Sequence, residues 1–267
     1  MDLLNPQSMA AWSDSAEWSG QGLRRSVFYF ASRGNLLYGS MYEAEAPSIG
    51  LGLAISPSWG FEVTSQQNLA HALAIRIARL GGAALVFHPP GHGDSQGDPE
   101  ELSMDALVAA TTDAVAEGRA RAPAFAWALA GVRLGAAVAA LAAGRAGTDL
   151  ALAIQPAFDP VAFFGQLQLA AHRTALVGGT TTSMVFGHAL PQQLIDSANQ
   201  ADLGAALSSL EGTRAVVRFE RPSDVCIPDG FEDLVVRGEW SPRGIANGAL
   251  VERASVWLGE QRIGEMR

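Results

Sequence analysis

WALAGVRLGAAVAA, Trp127 to Ala140, decides the reading of this chain. An apolar run, Phe125 to Ala130, meets a Gly-x-x-x-Gly turn, and a helix of small residues follows; this is the strand–turn–helix context of a nucleophile elbow. Gly131 and Gly135 flank the centre at the spacing a sharp turn needs, because side chains there would collide with the adjoining strand and helix. The middle residue of such a turn is ordinarily serine, and here it is Arg133. A guanidinium stays protonated and offers donors but no lone pair, so it cannot attack a carbonyl. It also stands at the amino end of a helix, where the macrodipole disfavours a cation by about 0.3–1 kcal/mol. An anion is therefore expected beside Arg133.

Outward from the elbow, strand and helix signals alternate. RRSVFYFA (Arg24–Ala31) and LLYGSMYEA (Leu36–Ala44), separated by Gly34–Asn35, read as a hairpin. LGLAISPS (Leu51–Ser58) is a buried strand, followed by apolar residues at helical spacing: Leu69, Leu73, Ile77 and Leu80. Ala83–His88 is a strand, Met104–Arg119 a helix, Ala124–Val132 a strand, Leu134–Ala143 a helix and Leu150–Gln155 a strand. The alternation breaks between Asp159 and Gly212, which contains a helical stretch near Pro191–Leu210, and resumes with strands at Arg214–Phe219 and Asp233–Gly238 and a helix around Leu250–Leu258. Such alternation predicts a mostly parallel sheet with helices on both faces. Residues 159–212 then form a helical cap inserted between two parts of one core, 1–158 and 213–267, over the sheet's carboxyl edge, where ligands bind in this architecture.

Composition narrows the function. A chain of 267 residues can bury a substantial core. Its formal charge of −9 lacks the basic field that nucleic-acid phosphates require, so nucleic acid is not an expected partner. All 18 basic residues are arginine, which removes Schiff-base and pyridoxal chemistry because both need a lysine amine. Cys226 is the single cysteine, which excludes an internal disulfide and a cysteine-rich zinc site and suits a reducing compartment. The start, MDLLNPQSMAAW, lacks the basic region of a secretory signal, and no apolar run approaches the roughly 20 residues that cross a bilayer. A cytoplasmic protein without a cofactor is expected.

The remaining partners of the elbow are sought at strand ends. In the elbow architecture the acid follows the strand after the cap and a histidine follows the last strand. After RAVVRF the chain runs ERPSDVCIPDG, which puts Asp224 at the acid position with Asp229 as fallback. After DLVVRG it runs EWSPRG, so the base position falls at Glu239 and Trp240, and no histidine occurs after His188. The expected site is Arg133 with Asp224 and Glu239, either an anion-binding arginine or an internal ion network that only ties strand ends together. ISPSWGFE (Ile55–Glu62) follows the third strand, where Trp59 or Gly60 could give one oxyanion-hole amide and Leu134 the other. In FHPPGHGDSQGD (Phe87–Asp98), His92 reads as a hydrogen-bonder of the turn and His88, at a strand's carboxyl end, as a candidate for acid–base work. The histidines show no spacing that would make a metal site.

These residues resemble the α/β-hydrolase superfamily and, more narrowly, the exosortase A system-associated hydrolases of the second type. Those proteins carry a Gly-x-Arg-Leu-Gly elbow, matched by Gly131, Arg133, Leu134 and Gly135. The likeness continues from about Gly50 through GDSQGD (Gly93–Asp98), IQP (Ile154–Pro156), FFGQLQLA (Phe163–Ala170), VFGHALPQQL (Val185–Leu194) and EWSPRG (Glu239–Gly244). It departs at SPSWGFE, where the family tends to carry a Pro-Pro-Phe-Ala-Glu-Glu-like run. The resemblance implies the α/β-hydrolase fold and a bacterial protein linked to exopolysaccharide or another biosynthetic pathway, without supplying a reaction.

Two classes of function follow. One is acyl chemistry on a small-molecule ester, thioester or carboxylate-bearing substrate without a covalent serine intermediate. Arg133 would then bind the anion, the Trp59, Gly60 and Leu134 amides would polarise a carbonyl, and Glu239, Asp224 or His88 would move a proton. The other is a pseudoenzyme that binds an acyl or anionic ligand, or a protein partner, beneath the cap. A homodimer is compatible with either.

Overall fold

The computed structural model describes residues 17–20, 22–178, 184–185, 187–221, 225–239 and 248–261. Nine strands form one sheet, in the order β1 (Glu17–Gly20), β2 (Leu23–Ser32), β3 (Asn35–Ala44), β5 (Ala83–Phe87), β4 (Leu51–Ser56), β6 (Ala126–Val132), β7 (Leu150–Ile154), β10 (Arg214–Arg221) and β11 (Phe231–Glu239). From β5 to β11 all neighbours are parallel, whereas β1, β2 and β3 join antiparallel. The β2–β3 hairpin was expected, but its turn is Arg33–Gly34 rather than Gly34–Asn35. Both turn residues have positive φ, 45° and 82°, as a two-residue loop matched to strand twist requires.

Helices α1 (Phe61–Arg79) and α7 (Gly248–Gln261) cover one face, and α2 (Met104–Arg121) and α3 (Leu134–Ala146) the other. The period of two along each strand sorts the core. Leu53, Ile55, Ala84, Val86, Ala130, Val132, Leu152 and Ile154 pack with α1 and α7, while Ala54, Leu85, Phe87 and Leu129 pack with α2 and α3. The chain leaves β4 toward one edge through α1 and returns past it through α2. Right-handed crossovers running in opposite directions must lie on opposite faces, so the connections part above β4 and β6 and open a crevice at their carboxyl ends.

Alanines on α3 let that helix approach the sheet closely; Ala136, Ala137, Ala139 and Ala140 are all buried. Between β7 and β10 the chain forms α4 (Pro160–Gly178), a short pair of strands β8 (Met184–Val185) and β9 (His188–Ala189), α5 (Gln192–Gln200) and α6 (Leu203–Ser208). The single helical stretch expected near 191–210 is thus two helices, the second capped by Asp202 accepting from the Ala205 amide. Phe163 and Phe164 at the start of α4 are buried, and Phe164 meets Trp59, in the loop after β4, edge to face at 6.3 Å. Among the described residues, no helix is long and apolar enough to cross a membrane.

A Cβ added at Gly135 would overlap the carbonyl oxygens of Ser56 and Pro57, backbone atoms that cannot swing aside, whereas one at Gly144 on the same helix would meet open space. Gly135→Ala is expected to destabilise the protein by about 1–3 kcal/mol through overpacking. Gly144→Ala should stabilise it by roughly 0.5–1 kcal/mol through helix propensity. Urea unfolding of the two variants checks the contrast, and equal midpoints would refute it.

Candidate functional site

Arg133 stands alone between β6 and α3, at φ 54° and ψ −121°. A non-glycine residue held there stores backbone strain, of the order of 1–3 kcal/mol. The turn is pinned on both sides: the Arg133 amide donates to the Ile154 carbonyl at 3.0 Å, and its carbonyl accepts from the Ala157 amide at 3.0 Å. Gly131 completes the constraint, since a Cβ there would overlap the backbone of Gly135 and Ala136.

The guanidinium is ion-paired with Glu62, Nε to Oε1 at 3.2 Å, and Nη1 donates to the Gln155 carbonyl at 3.3 Å. Glu62 lies in the first turn of α1 with its side chain only 4 % exposed, and its Oε2 accepts the Ser58 hydroxyl at 2.6 Å. The Phe163 ring adds a cation–π face 5.6 Å from the guanidinium carbon. Gln155, fully buried at the carboxyl end of β7, also has a positive φ of 44°. Its side-chain oxygen accepts from the Phe219 amide at 2.9 Å, while Nε2 is buried without a hydrogen-bond partner among the described residues. The ends of β4, β6, β7 and β10 are thus tied through one network.

The structure distributes the sequence candidates unevenly. The Leu134 amide opens α3 and, as a first-turn N–H, has no acceptor within the helix. Trp59 is buried against Phe164. The Gly60 amide donates to His92 Nε2 at 3.3 Å, and His92 Nδ1–H donates to the Pro90 carbonyl at 3.0 Å, so both ring nitrogens are used by the turn. His188 stacks on His92, centroids 6.1 Å apart. His88 Nδ1 accepts from the Asp94 amide at 3.1 Å under the Tyr38 ring, and burial holds it below the ordinary imidazole value, against the opposing pull of Asp94. The void beside it, lined by Ser58, Gln67 and Val132 among others, is about 20 Å³, room for little more than one water. Glu239 is exposed at the end of β11, in register with Arg221, and Asp229 is exposed in the turn before that strand. Asp224 and Trp240 lie outside the described residues.

Among the described residues, a carboxylate paired with Arg133 is that of Glu62, which sequence reasoning passed over together with Ser58 and Gln155. A signal was present: Glu62 ends the quoted ISPSWGFE stretch, in the first turn of the helix that starts opposite the elbow. Among the described residues, no cluster of three or more His, Cys, Asp or Glu is arranged to hold a metal.

No protein-family model matches the chain, and no curated protein does. Solved structures do. An esterase from Butyrivibrio proteoclasticus with bound ferulic acid superposes with a TM-score of 0.60 at 16% identity, over 88% of this chain and 99% of its own. A serine hydrolase without a lid from Xanthomonas campestris gives 0.54 at 14%, over 90% and 94%. The thioesterase domain of the curacin biosynthetic pathway gives 0.50 at 13%, over 90% and 99%. The chain has the α/β-hydrolase fold. Identities this low speak to architecture alone.

Two outcomes are expected. Arg133→Leu and Glu62→Leu should each destabilise by about 3 kcal/mol or more, because each strands the other's charge, while the double variant should lose clearly less than the sum. A denaturation cycle measures this, and additivity would dismiss the pair as a coupled unit. The second concerns acid. His71, hydrogen-bonded to the Tyr42 hydroxyl at 2.9 Å, is lowered to about 4, chiefly by burial and then by Arg25 and His88. Its folded value lies below its unfolded one, so its contribution is complete above the unfolded pKa of about 6.5 and is lost as pH falls toward 4. His71→Phe should therefore flatten part of the Tm decline across that window. An unchanged slope would remove His71 from the account.

Proposed function

We propose that this protein acts on a small-molecule acyl compound, an ester, thioester or carboxylate-bearing substrate, through a site centred on Arg133 and without a covalent serine intermediate. One observation carries the reading. Arg133 combines a strained backbone with a poorly exposed charge, 17% exposed at the side chain, at the place the fold reserves for chemistry. Strain and charge burial each cost stability, and their coincidence at this residue argues for a use beyond packing.

In this reading Arg133 binds a substrate carboxylate or polarises a carbonyl oxygen, with the Leu134 amide beside it as a preorganised donor. The Trp59 amide, in the loop after β4, supplies the second donor. Glu62 orients the guanidinium and, held by the Ser58 hydroxyl, acts as a positioning residue. Proton transfer is assigned to Glu239, the last residue of β11, or to Asp224, which comes shortly after β10 in the sequence. His88 is less suited, because its Nδ1 lone pair is engaged by the Asp94 amide. Helices α4 to α6, within residues 159–212, act as the cap that shields the site. A cytoplasmic setting and a bacterial exopolysaccharide or related biosynthetic pathway belong to the proposal on the strength of the sequence resemblance alone.

A second reading, ligand or partner binding without turnover, draws on a different observation: the Gly60 amide is already given to His92 and so is not offered to an oxyanion. The two readings separate in one experiment. A panel of aryl esters and acyl thioesters is offered to the wild type, Arg133→Ala, Arg133→Ser and Glu239→Gln, with thermal-shift binding of the corresponding free acids measured in parallel. Turnover lost at least a hundredfold in Arg133→Ala and not restored in Arg133→Ser supports catalysis. Arginine-dependent binding of the acids without turnover supports the second reading, and turnover indifferent to Arg133, or efficient hydrolysis by Arg133→Ser, overturns the arginine-centred site.

A further inference from the structure

β11 is the last strand of the sheet, and no strand among the described residues pairs with its outer side. It is a long edge, nine residues from Phe231 to Glu239, and such an edge presents a row of backbone donors and acceptors to any strand that fits. Its side chains are sorted by the period of two. Leu234 is buried on the face covered by α7, and Trp257 of that helix donates to Glu232 at 2.7 Å, which holds α7 and β11 together. The opposite face carries Phe231, Asp233, Val235 and Arg237; beyond them, around Gly238 at φ 129°, the register with β10 shifts by one residue and the alternation ends. Val235 is 48% exposed, which is unusual for a valine on a strand. Asp233 is held by a two-point ion pair with Arg218 of β10, both contacts at 2.9 Å, while Arg237 is exposed.

We propose that β11 pairs antiparallel with β11 of a second copy of this chain, about a two-fold axis through Val235, so that two sheets become one. A two-fold perpendicular to the sheet keeps faces matched only when it passes through a residue, which leaves few registers. Centred on Val235, Asp233 of each copy lies opposite Arg237 of the other, and the two exposed valines meet on the axis. Centred one residue later, the pairing would run across the irregularity at Gly238 and would set Arg237 opposite Val235 rather than Asp233. Centred one residue earlier, Asp233 would face Val235 and Arg237 would face Phe231. Only the Val235 register satisfies the charges and covers the valine, and cross-strand pairs of this kind set register in antiparallel sheets.

The full-length protein tests this by analytical ultracentrifugation over a range of concentrations. A dimer is expected, with Arg237→Asp weakening association at least tenfold and Val235→Pro abolishing it while monomer circular dichroism is kept. Register is read by cross-linking in a Cys226→Ser background. Val235→Cys should form an intermolecular disulfide under mild oxidation, because facing Cβ atoms in such pairs lie about 4.5–5.5 Å apart. Arg237→Cys, displaced from its own copy by several residues, should not. A monomer at every concentration, whether because another partner or another part of the chain occupies the edge, overturns the proposal. So does a dimer that ignores Arg237→Asp, or one in which Val235→Cys fails to cross-link.

Discussion

The rest of the site depends on the ion pair between Arg133 and Glu62. A guanidinium at the amino end of a helix faces an unfavourable dipole and partial desolvation. Glu62 meets that cost from the first turn of α1, where a carboxylate is itself favoured by the helix end. Each charge makes the other's position tolerable. Ser58 and the Gln155 carbonyl then use further hydrogen-bonding capacity of the pair, which turns two charges into a network spanning four strand ends.

The architecture makes this pairing available. Because β4 and β6 are neighbours whose crossovers leave on opposite faces, the loop after β4 and the turn after β6 come together at one edge. Close approach is obtained by removing side chains where backbones would otherwise collide, at Gly131 and Gly135, and by lining α3 with alanine. The strained dihedrals at Arg133 and Gln155 follow from the same crowding. Both residues lie at the carboxyl ends of adjacent parallel strands, and both are bonded through their backbones to the neighbouring strand or loop.

Much of this was legible in the sequence. The apolar runs at Leu51, Ala83, Leu150 and Arg214 are short, continuous and separated by helical periods, which is how parallel strands buried on both faces must read. The Gly-x-x-x-Gly spacing around Arg133 carries a sharp strand-to-helix turn because a Cβ at either glycine would overlap backbone. What local pattern could not deliver was the pairing of Arg133 with Glu62. Reasoning from the usual order of the fold looked beyond β10 and β11, where Asp224 lies outside the described residues, whereas among the described residues the carboxylate paired with Arg133 comes from Glu62, upstream, in a segment read for its amides. Side-chain reach is three-dimensional, and nothing in ISPSWGFE marks its glutamate as pointing to the elbow rather than to water. The Gly60–His92 bond was hidden for the same reason: the turn-forming character of His92 was readable, but its target was not.

The pairing of β4 with β6 has a consequence for how the chain reaches its native state. The β2–β3 hairpin joins residues that are close in sequence and needs little loop closure, whereas Glu62 and Arg133 are 71 residues apart and meet only after two helices and two strands have been laid down between them. Contacts of that separation carry a chain-closure entropy that local contacts do not, and they are made late. The buried charges therefore stay hydrated through the early stages of folding and are desolvated only when the central parallel strands close. The ion network thus acts as a checkpoint on assembly: a chain that misregisters its central strands leaves an arginine and a glutamate buried apart, a state far less stable than the paired one.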